Sequence, residues 1–494
     1  MKAGDLMREQ IEKAEQSVRE KQAEVQRHHW YPRFHVAPQA YWMNDPNGFS
    51  FFKGEYHLFY QHHPFSPEWG PMYWGHVKSR DLVRWEHLQI ALAPSEDFDV
   101  DGCFSGSAIE KDGKLLAIYT GNVWTGPDHD TDLKQVQAVA ESEDGIHFTK
   151  WEEPVISEAP DGDVHQFHFR DPKVWQHGDQ YYCVLGSRTK DHVGQVLLYR
   201  SANLKEWEFI AVSANKKENG GYMWECPDFF HLGDHDVLVM SPQGVKPEGD
   251  RFHNLHQAVY VLGKLNYETG AFDHGDFEML DAGFDFYAPQ TLEDPEGRRI
   301  LMGWMDMWES EMPTQKVGFS GAMTIPRLLV PDGERLLVQP LPELAELRKE
   351  AVLVEQTAFT GEQTFDSVSG TCLEMKVEAD VASTAALHIN MRCGEGERTV
   401  LSWTRADSKL TLDRSKSGEG VSGTRTTTIA TKQSRLKLHI FLDQSSIEVF
   451  ANDGERVMTA RIYPKEDSDG IEFVAEGEVA LRIEKWDLSP AFIF

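Results

Sequence analysis

The stretch Ser79-Arg80-Asp81-Leu82-Val83-Arg84-Trp85 has two near copies further along the chain. They are Ser142-Glu143-Asp144-Gly145-Ile146-His147-Phe148, leading to Trp151, and Ser201-Ala202-Asn203-Leu204-Lys205-Glu206-Trp207. The copies recur roughly every 55 to 65 residues, a period that belongs to repeat architectures. Between them the chain alternates strand, tight turn, strand. Lys53-Gly54-Glu55 lies between Phe51-Phe52 and Tyr56-His57-Leu58-Phe59-Tyr60, and Lys111-Asp112-Gly113-Lys114 lies between Ala108-Ile109 and Leu115-Leu116-Ala117-Ile118-Tyr119. His177-Gly178-Asp179 and His231-Leu232-Gly233-Asp234 punctuate the chain in the same way. A repeat of several strands at this period predicts a β-propeller, and residues 33–340 are long enough for five blades. The WD40 signature is absent, so this is another class of propeller.

Outside the repeats the pattern changes. Residues 1–32 are predicted to form a helical extension. Leu6, Ile11, Ala14, Val18 and Val25 make one narrow apolar stripe among charges, fit for docking on the protein or on a partner. Residues 341–354 read as a linker, with a short helix over 341–349. Residues 355–494 then alternate strictly, as in Leu436-Lys437-Leu438-His439-Ile440-Phe441-Leu442 and Ser446-Ile447-Glu448-Val449-Phe450-Ala451, which predicts a β-sandwich. The fold class is therefore all-β: a five-bladed propeller followed by a C-terminal sandwich, with a short leading helix.

Bulk properties narrow the function. The 494 residues exceed one ordinary core, so two domains are expected. A formal charge of -31 argues against nucleic acid and against an anionic membrane surface as partners. At long range it also repels a phosphorylated substrate, unless a local basic pocket overrides it. Cys103, Cys183, Cys226, Cys372 and Cys393 are scattered, without zinc spacing, and read as reduced thiols. The N-terminal segment lacks the apolar run of a signal peptide, so a cytoplasmic protein is expected. The histidines, among them His62, His63, His165, His168 and His231, show no His-Glu-x-x-His pattern; no metal and no organic cofactor is expected.

Three acids carry the chemistry. Asp45 lies in Trp42-Met43-Asn44-Asp45-Pro46-Asn47-Gly48, Asp171 in Arg170-Asp171-Pro172, and Glu225 in Trp224-Glu225-Cys226-Pro227-Asp228. Asp-Pro-Asn-Gly is expected to turn the chain sharply and hold Asp45 at a strand rim. Each acid is expected just ahead of a strand-turn-strand unit. The innermost strands of a propeller line its axis, so equivalent positions converge on one funnel. Like charges brought together cannot all ionise freely, so one carboxyl is expected to shift toward the protonated form. A nucleophilic carboxylate and a carboxyl acid/base are what a retaining glycosidase needs, at a separation of roughly 5–5.5 Å.

The seven-residue string around Asp45 resembles the signature of the family 32 glycoside hydrolases, the invertases and fructosidases. The resemblance implies that Asp45 is the nucleophile, Glu225 the acid/base and Asp171 the transition-state stabiliser, with Arg170 helping to keep Asp171 ionised. It further implies that Trp42, Asn44, Gln61, Trp69, Phe104, Ser105, Arg170, Tyr287 and Trp304 bind substrate, Trp304 as a stacking ring. Asp443-Gln444-Ser445-Ser446-Ile447-Glu448-Val449-Phe450 is similar to the family's sandwich domain. The implied activity is hydrolysis of the β-fructofuranosyl bond of sucrose or sucrose 6-phosphate, or of short fructo-oligosaccharides, by a monomer or homodimer.

Overall fold

Five antiparallel sheets follow one another around an axis, each a four-stranded meander with its first strand innermost. Blade I comprises Tyr41–Phe52, Glu55–His63, Tyr73–Ser79 and Trp85–His87. Blade II comprises Cys103–Lys111, Lys114–Trp124, Leu133–Ser142 and Thr149–Lys150. Blade III runs Phe169–His177, Gln180–Arg188, Gly194–Ser201 and Glu208–Asn215. Blade IV holds Met223–Leu232, His235–Gln243, Val259–Leu265 and Phe272–His274, with Glu278–Met279 beside the third strand. Blade V holds Tyr287–Glu293, Arg299–Trp304, Arg327–Asp332 and Arg335–Pro340. Phe319–Ser320 leaves blade V and pairs in parallel with Tyr41 and Trp42, which ties the end of the ring to its start. This computed structural model describes residues 3–431 and 433–492.

Local chemistry explains the blades. Lys53-Gly54 and Asp112-Gly113 have positive φ at both residues (50° and 86°, 53° and 77°), the geometry that matches strand twist in a two-residue hairpin. The repeated Ser-x-Asp element closes the third strand of a blade. Ser79 Oγ donates to Asp81 Oδ1, and the same oxygen accepts the Val83 and Arg84 amides. Ser142 with Asp144 and Ser201 with Asn203 repeat the arrangement. Blade IV has a fourth copy: Asn266 Oδ1 accepts the amides of Glu268 and Thr269. It is hidden in the sequence because Lys264 stands where the others have serine.

All five inner strands slip register at one level: between Met43 and Pro46, Cys103 and Gly106, Arg170 and Lys173, Glu225 and Asp228, and Tyr287 and Gln290. Pro172, Pro227 and Pro289 fill three of these bulges, where a missing N–H costs no ladder bond, and Pro46 directly follows the bulge of blade I. The sharp turn expected at Asp45–Gly48 does not form. Asn47 pairs with Phe59 and the strand continues to Phe52, so the kink is absorbed as two bulges. Nor do the three acids precede their strands; they sit inside them.

The leading helix spans Ala3–Val25, ending with the last residue of its apolar stripe and short of the 1–32 extension expected, and its stripe docks on the chain itself. Met7 and Ala14 pack with Trp74, Ile90 and Leu92, while Val18 and Val25 pack with Val317 and Phe319. Glu15 Oε1 accepts the Ile90 amide at 2.8 Å.

The connection to the second domain is shorter than expected. Pro342–Leu347 is a 3-10 helix, and strand Arg348–Thr364 begins inside the stretch read as linker because it pairs at once with Gly470–Leu488. Strand Leu373–Gly394 bends at a bulge after Asp380. Its first half pairs with Arg435–Asp443 and its second with Glu397–Thr404. One curled strand thereby joins both layers of the sandwich, and Leu373, Met375, Val377, Leu387 and Ile389 face the core between them.

Candidate active site

Bulging brings inner-strand side chains to one end of the axis. Asp45 comes from blade I, Ser105 from blade II, Asp171 from blade III, Glu225 from blade IV and Tyr287 from blade V. Ser105 Oγ donates to Asp45 Oδ2 at 2.7 Å. The Trp42 indole donates to Asn44 Oδ1 at 2.7 Å, which leaves the Asn44 amide nitrogen free beside Asp45. Asp45 Oδ1, although buried, has no hydrogen-bond partner. That is unusual for a carboxylate oxygen and leaves it free to bond a ligand.

Glu225 is in the opposite situation. Its Oε1 accepts Arg170 Nη2 at 2.6 Å and Nε at 3.2 Å. Its Oε2 accepts the Tyr287 hydroxyl at 2.6 Å and Gln243 Nε2 at 2.8 Å. Asp171 Oδ2 accepts the Cys226 amide at 2.9 Å, and the Cys226 thiol lies 3.5 Å from both Asp171 Oδ2 and Asp45 Oδ2. One sulfur therefore touches two of the three acids. Cys226 adopts φ 46° to do so, as do Asp171 (63°) and Ala288 (48°) at the matching bulges. Non-glycine residues in this region carry strain that the surrounding sheet must hold.

The three carboxyls differ in their hold on a proton. Burial raises Asp45 above its ordinary value against the nearby Asn44 amide and the Ser105 bond, and the charge of Glu225 adds to the rise. Burial, with the negative charges of Glu225 and Asp45, pushes Asp171 up to about 7 despite nearby Arg170. Burial would also raise Glu225, but the Arg170 charge and the Tyr287 bond outweigh it and hold that carboxyl below its usual range. Arg170 was expected to keep Asp171 ionised. Its charge does act in that direction from 4.0 Å without offsetting burial, while its hydrogen bonds, the shorter at 2.6 Å, go to Glu225.

The aromatic residues divide into two groups. Trp69 is exposed and packs edge-on to Phe104, which in turn meets Trp124, so these three line one side of the mouth. Gln61 is buried and donates to the Cys103 carbonyl at 2.9 Å. Trp304 is 0% exposed, behind Trp42 and Trp308. It therefore cannot stack on a sugar; it backs Trp42, and the half-buried ring nearer the surface is Trp308. Sequence reading gave no role to Trp308, Gln243, Trp124 or the Cys226 thiol. Only Cys226 carried a signal, its place beside an acid and before a proline. Among the described residues, no group of three or more His, Cys, Asp or Glu side chains could hold a metal ion.

Two family models match the chain: the glycosyl hydrolases family 32 N-terminal domain over residues 35–340 and the family 32 C-terminal domain over residues 343–488. The chain belongs to glycosyl hydrolase family 32. Within that family it is 43% identical over 481 residues to a sucrose-6-phosphate hydrolase of Zymomonas mobilis subsp. mobilis, covering 94% of this chain and 93% of that one. Among solved structures it resembles a Bombyx mori family 32 β-fructofuranosidase variant in complex with sucrose. The TM-score is 0.86 at 36% identity, with 98% and 99% of the two chains covered. The sucrose-6-phosphate hydrolase of Lactobacillus gasseri is similar too, at TM-score 0.86 and 30% identity, with 96% of each chain covered. This family 32 hydrolase thus shares its whole architecture, both domains included, with β-fructosidases. No helix among its described residues is long and apolar enough to cross a membrane.

Proposed function

We propose that the enzyme hydrolyses the β-fructofuranosyl bond of sucrose and sucrose 6-phosphate with retention of configuration. One observation carries the assignment: Asp45, Asp171 and Glu225 converge from three blades, with one buried Asp45 oxygen left unpaired while both Glu225 oxygens are bonded. The relatives named above act on these sugars according to their names, which favours the same substrate class here. Asp45 Oδ1 attacks the anomeric carbon of the fructosyl unit while Glu225 protonates the glycosidic oxygen, and the glucosyl part leaves as an alcohol. Glu225 then removes a proton from water, whose oxygen displaces Asp45 and regenerates both acids. Asp171 holds fructose hydroxyls and opposes the charge of the oxocarbenium-like transition state. Ser105, Asn44 and Trp42 orient the nucleophile, and Trp69 with Phe104 forms an aromatic wall.

The proton distribution adds a requirement. Arg170 and Tyr287 favour ionised Glu225, while burial pushes the aspartates toward protonation. Bond cleavage needs the proton on Glu225 and the charge on Asp45.

Reducing sugar released from sucrose and from sucrose 6-phosphate, measured for wild type, Asp45→Asn and Glu225→Gln, tests the assignment. Each substitution is expected to lower kcat by a factor of at least about 10³. NMR of the first-formed fructose should show the β-anomer. Unchanged rates in both variants, or an inverted first product, would end the proposal.

A further inference from the structure

Glu225 is held by Arg170, and what holds Arg170 has been assigned no part in the chemistry. Two of its nitrogens, Nε and Nη2, bond Glu225. Its third, Nη1, lies 3.0 Å from Nδ1 of His168, two residues earlier on the same approach to the axis. A guanidinium has only donors, so His168 Nδ1 must accept and its proton must sit on Nε2. Nε2 indeed lies 2.8 Å from the backbone carbonyl of Asp130, which accepts that proton.

This carbonyl is fixed in turn. Asp130 lies in the loop joining the second and third strands of blade II, where its amide donates to Asp128 Oδ1 at 3.0 Å and the Asp128 amide to Asp132 Oδ2 at 3.1 Å. Arg188 Nη2 grips Asp130 Oδ1 at 2.8 Å. A continuous chain therefore runs from a blade II loop, through an imidazole and a guanidinium of blade III, to the carboxyl of blade IV. His168 is 7% exposed, so water does not readily replace it as an acceptor for Arg170.

We propose that His168 is a positioning residue: as a neutral acceptor it locks the Arg170 guanidinium, and through it sets the place and proton affinity of Glu225. This rests on the assignment of Glu225 as acid/base. The charged and titratable groups facing His168 are Arg170, Arg188, His165 and Asp130. Burial, with the charges of Arg170 and Arg188, keeps the imidazole neutral, with its pKa lowered to about 3, consistent with an acceptor at Nδ1. A protonated ring would direct a second N–H at Arg170 and break the chain.

The test compares sucrose with β-fructofuranosyl fluoride, whose leaving group needs little protonation. His168→Leu removes the acceptor; His168→Asn keeps an oxygen near the position of Nδ1. In His168→Leu, kcat/KM on sucrose is expected to fall about ten-fold while kcat/KM on the fluoride stays within about two-fold, since kcat/KM reports the bond-cleaving step and only sucrose needs a placed acid there. With Arg170 loosened from Glu225, the alkaline limb of kcat/KM on sucrose should move up by about half a pH unit. His168→Asn should recover most of both effects. Should His168→Leu not fold, as judged by circular dichroism, His168→Phe, a flat ring without an acceptor, takes its place with the same expectations. Equal losses on both substrates, or an unmoved alkaline limb, would reduce His168 to packing and overturn the inference. A wild type inactive on sucrose and its 6-phosphate would instead remove the functional reading beneath it.

Discussion

At the scale of single residues, the site works by unequal treatment of similar groups. Asp45 is a buried carboxyl and Glu225 a half-buried one, yet one oxygen of Asp45 is unpaired while Glu225 has four donors. Donors on a carboxylate favour its ionised form. Ser105 is such a donor for Asp45, and its bond works against the burial that raises that carboxyl. Removing it in Ser105→Ala should raise the Asp45 pKa further. Because the nucleophile must be ionised, the acidic limb of kcat/KM should shift to higher pH, with kcat down about ten-fold. A pH profile of sucrose hydrolysis reads this directly, and an acidic limb that stayed in place or moved down would contradict the role given to Ser105. The sequence pointed to the three acids because Asp-Pro-Asn-Gly, Arg-Asp-Pro and Glu-Cys-Pro are short strings that resemble the family's; that these strings bulge inside strands rather than turn the chain only the structure shows. The sequence did not show which acid Arg170 would meet, since that depends on a strand 55 residues further on.

At the scale of elements, the bulged inner strand is the unit that matters. Each blade supplies one, and the bulge re-aims a side chain toward the axis without ending the strand. In blade II no proline is present; Ser105-Gly106 takes that place. A Cβ at Gly106 would sit 2.0 Å from the Ile118 carbonyl oxygen on the next strand, a backbone atom that cannot step aside. Gly106→Ala should therefore destabilise by about 3 kcal/mol and displace Ser105 from Asp45. Urea denaturation with a parallel activity assay would check it; a change under about 1 kcal/mol would mean that the bulge relaxes more easily than this contact implies. The Ser-x-Asp turns that close the third strands were legible in three blades because their hydrogen bonds span only two or three residues. The fourth was not, since Asn266 alone suffices for the turn once the strands around it pair.

At the scale of the whole molecule, the two domains are joined by buried charge. Asp443 accepts the Arg33 and Phe34 amides and bonds His35 Nδ1 at 2.8 Å. Glu448 bonds His35 Nε2 at 2.9 Å and accepts the Ile325 amide and the Arg327 guanidinium. The motif Asp443 to Phe450 is thus a fastening of the sandwich to the propeller and contributes nothing directly to the pocket. Burial disfavours charged His35, but its bonds to Asp443 and Glu448 prevail and raise its pKa to about 9. A group whose folded pKa is raised lends stability below its unfolded value, here about 6.5, and loses it as pH climbs through about 9. The stability difference between wild type and His35→Gln should accordingly shrink by about 3 kcal/mol between pH 6 and pH 10. Denaturant titrations at the two pH values measure it, and a constant difference would mean that His35 is neutral in the folded protein.

The sequence by itself determined the propeller and the sandwich and pointed to the three acids that converge, because strand alternation, two-residue loops and short acid-proline strings act over a few neighbouring residues. Tertiary structure alone decided that Trp304 lies behind Trp42 out of reach of a sugar, that the first sandwich strand starts at Arg348, and that Arg170 serves Glu225. Each of these depends on atoms brought together from different blades or strands. Burial and hydrogen-bond partners there are set by which surfaces meet once the ring has closed.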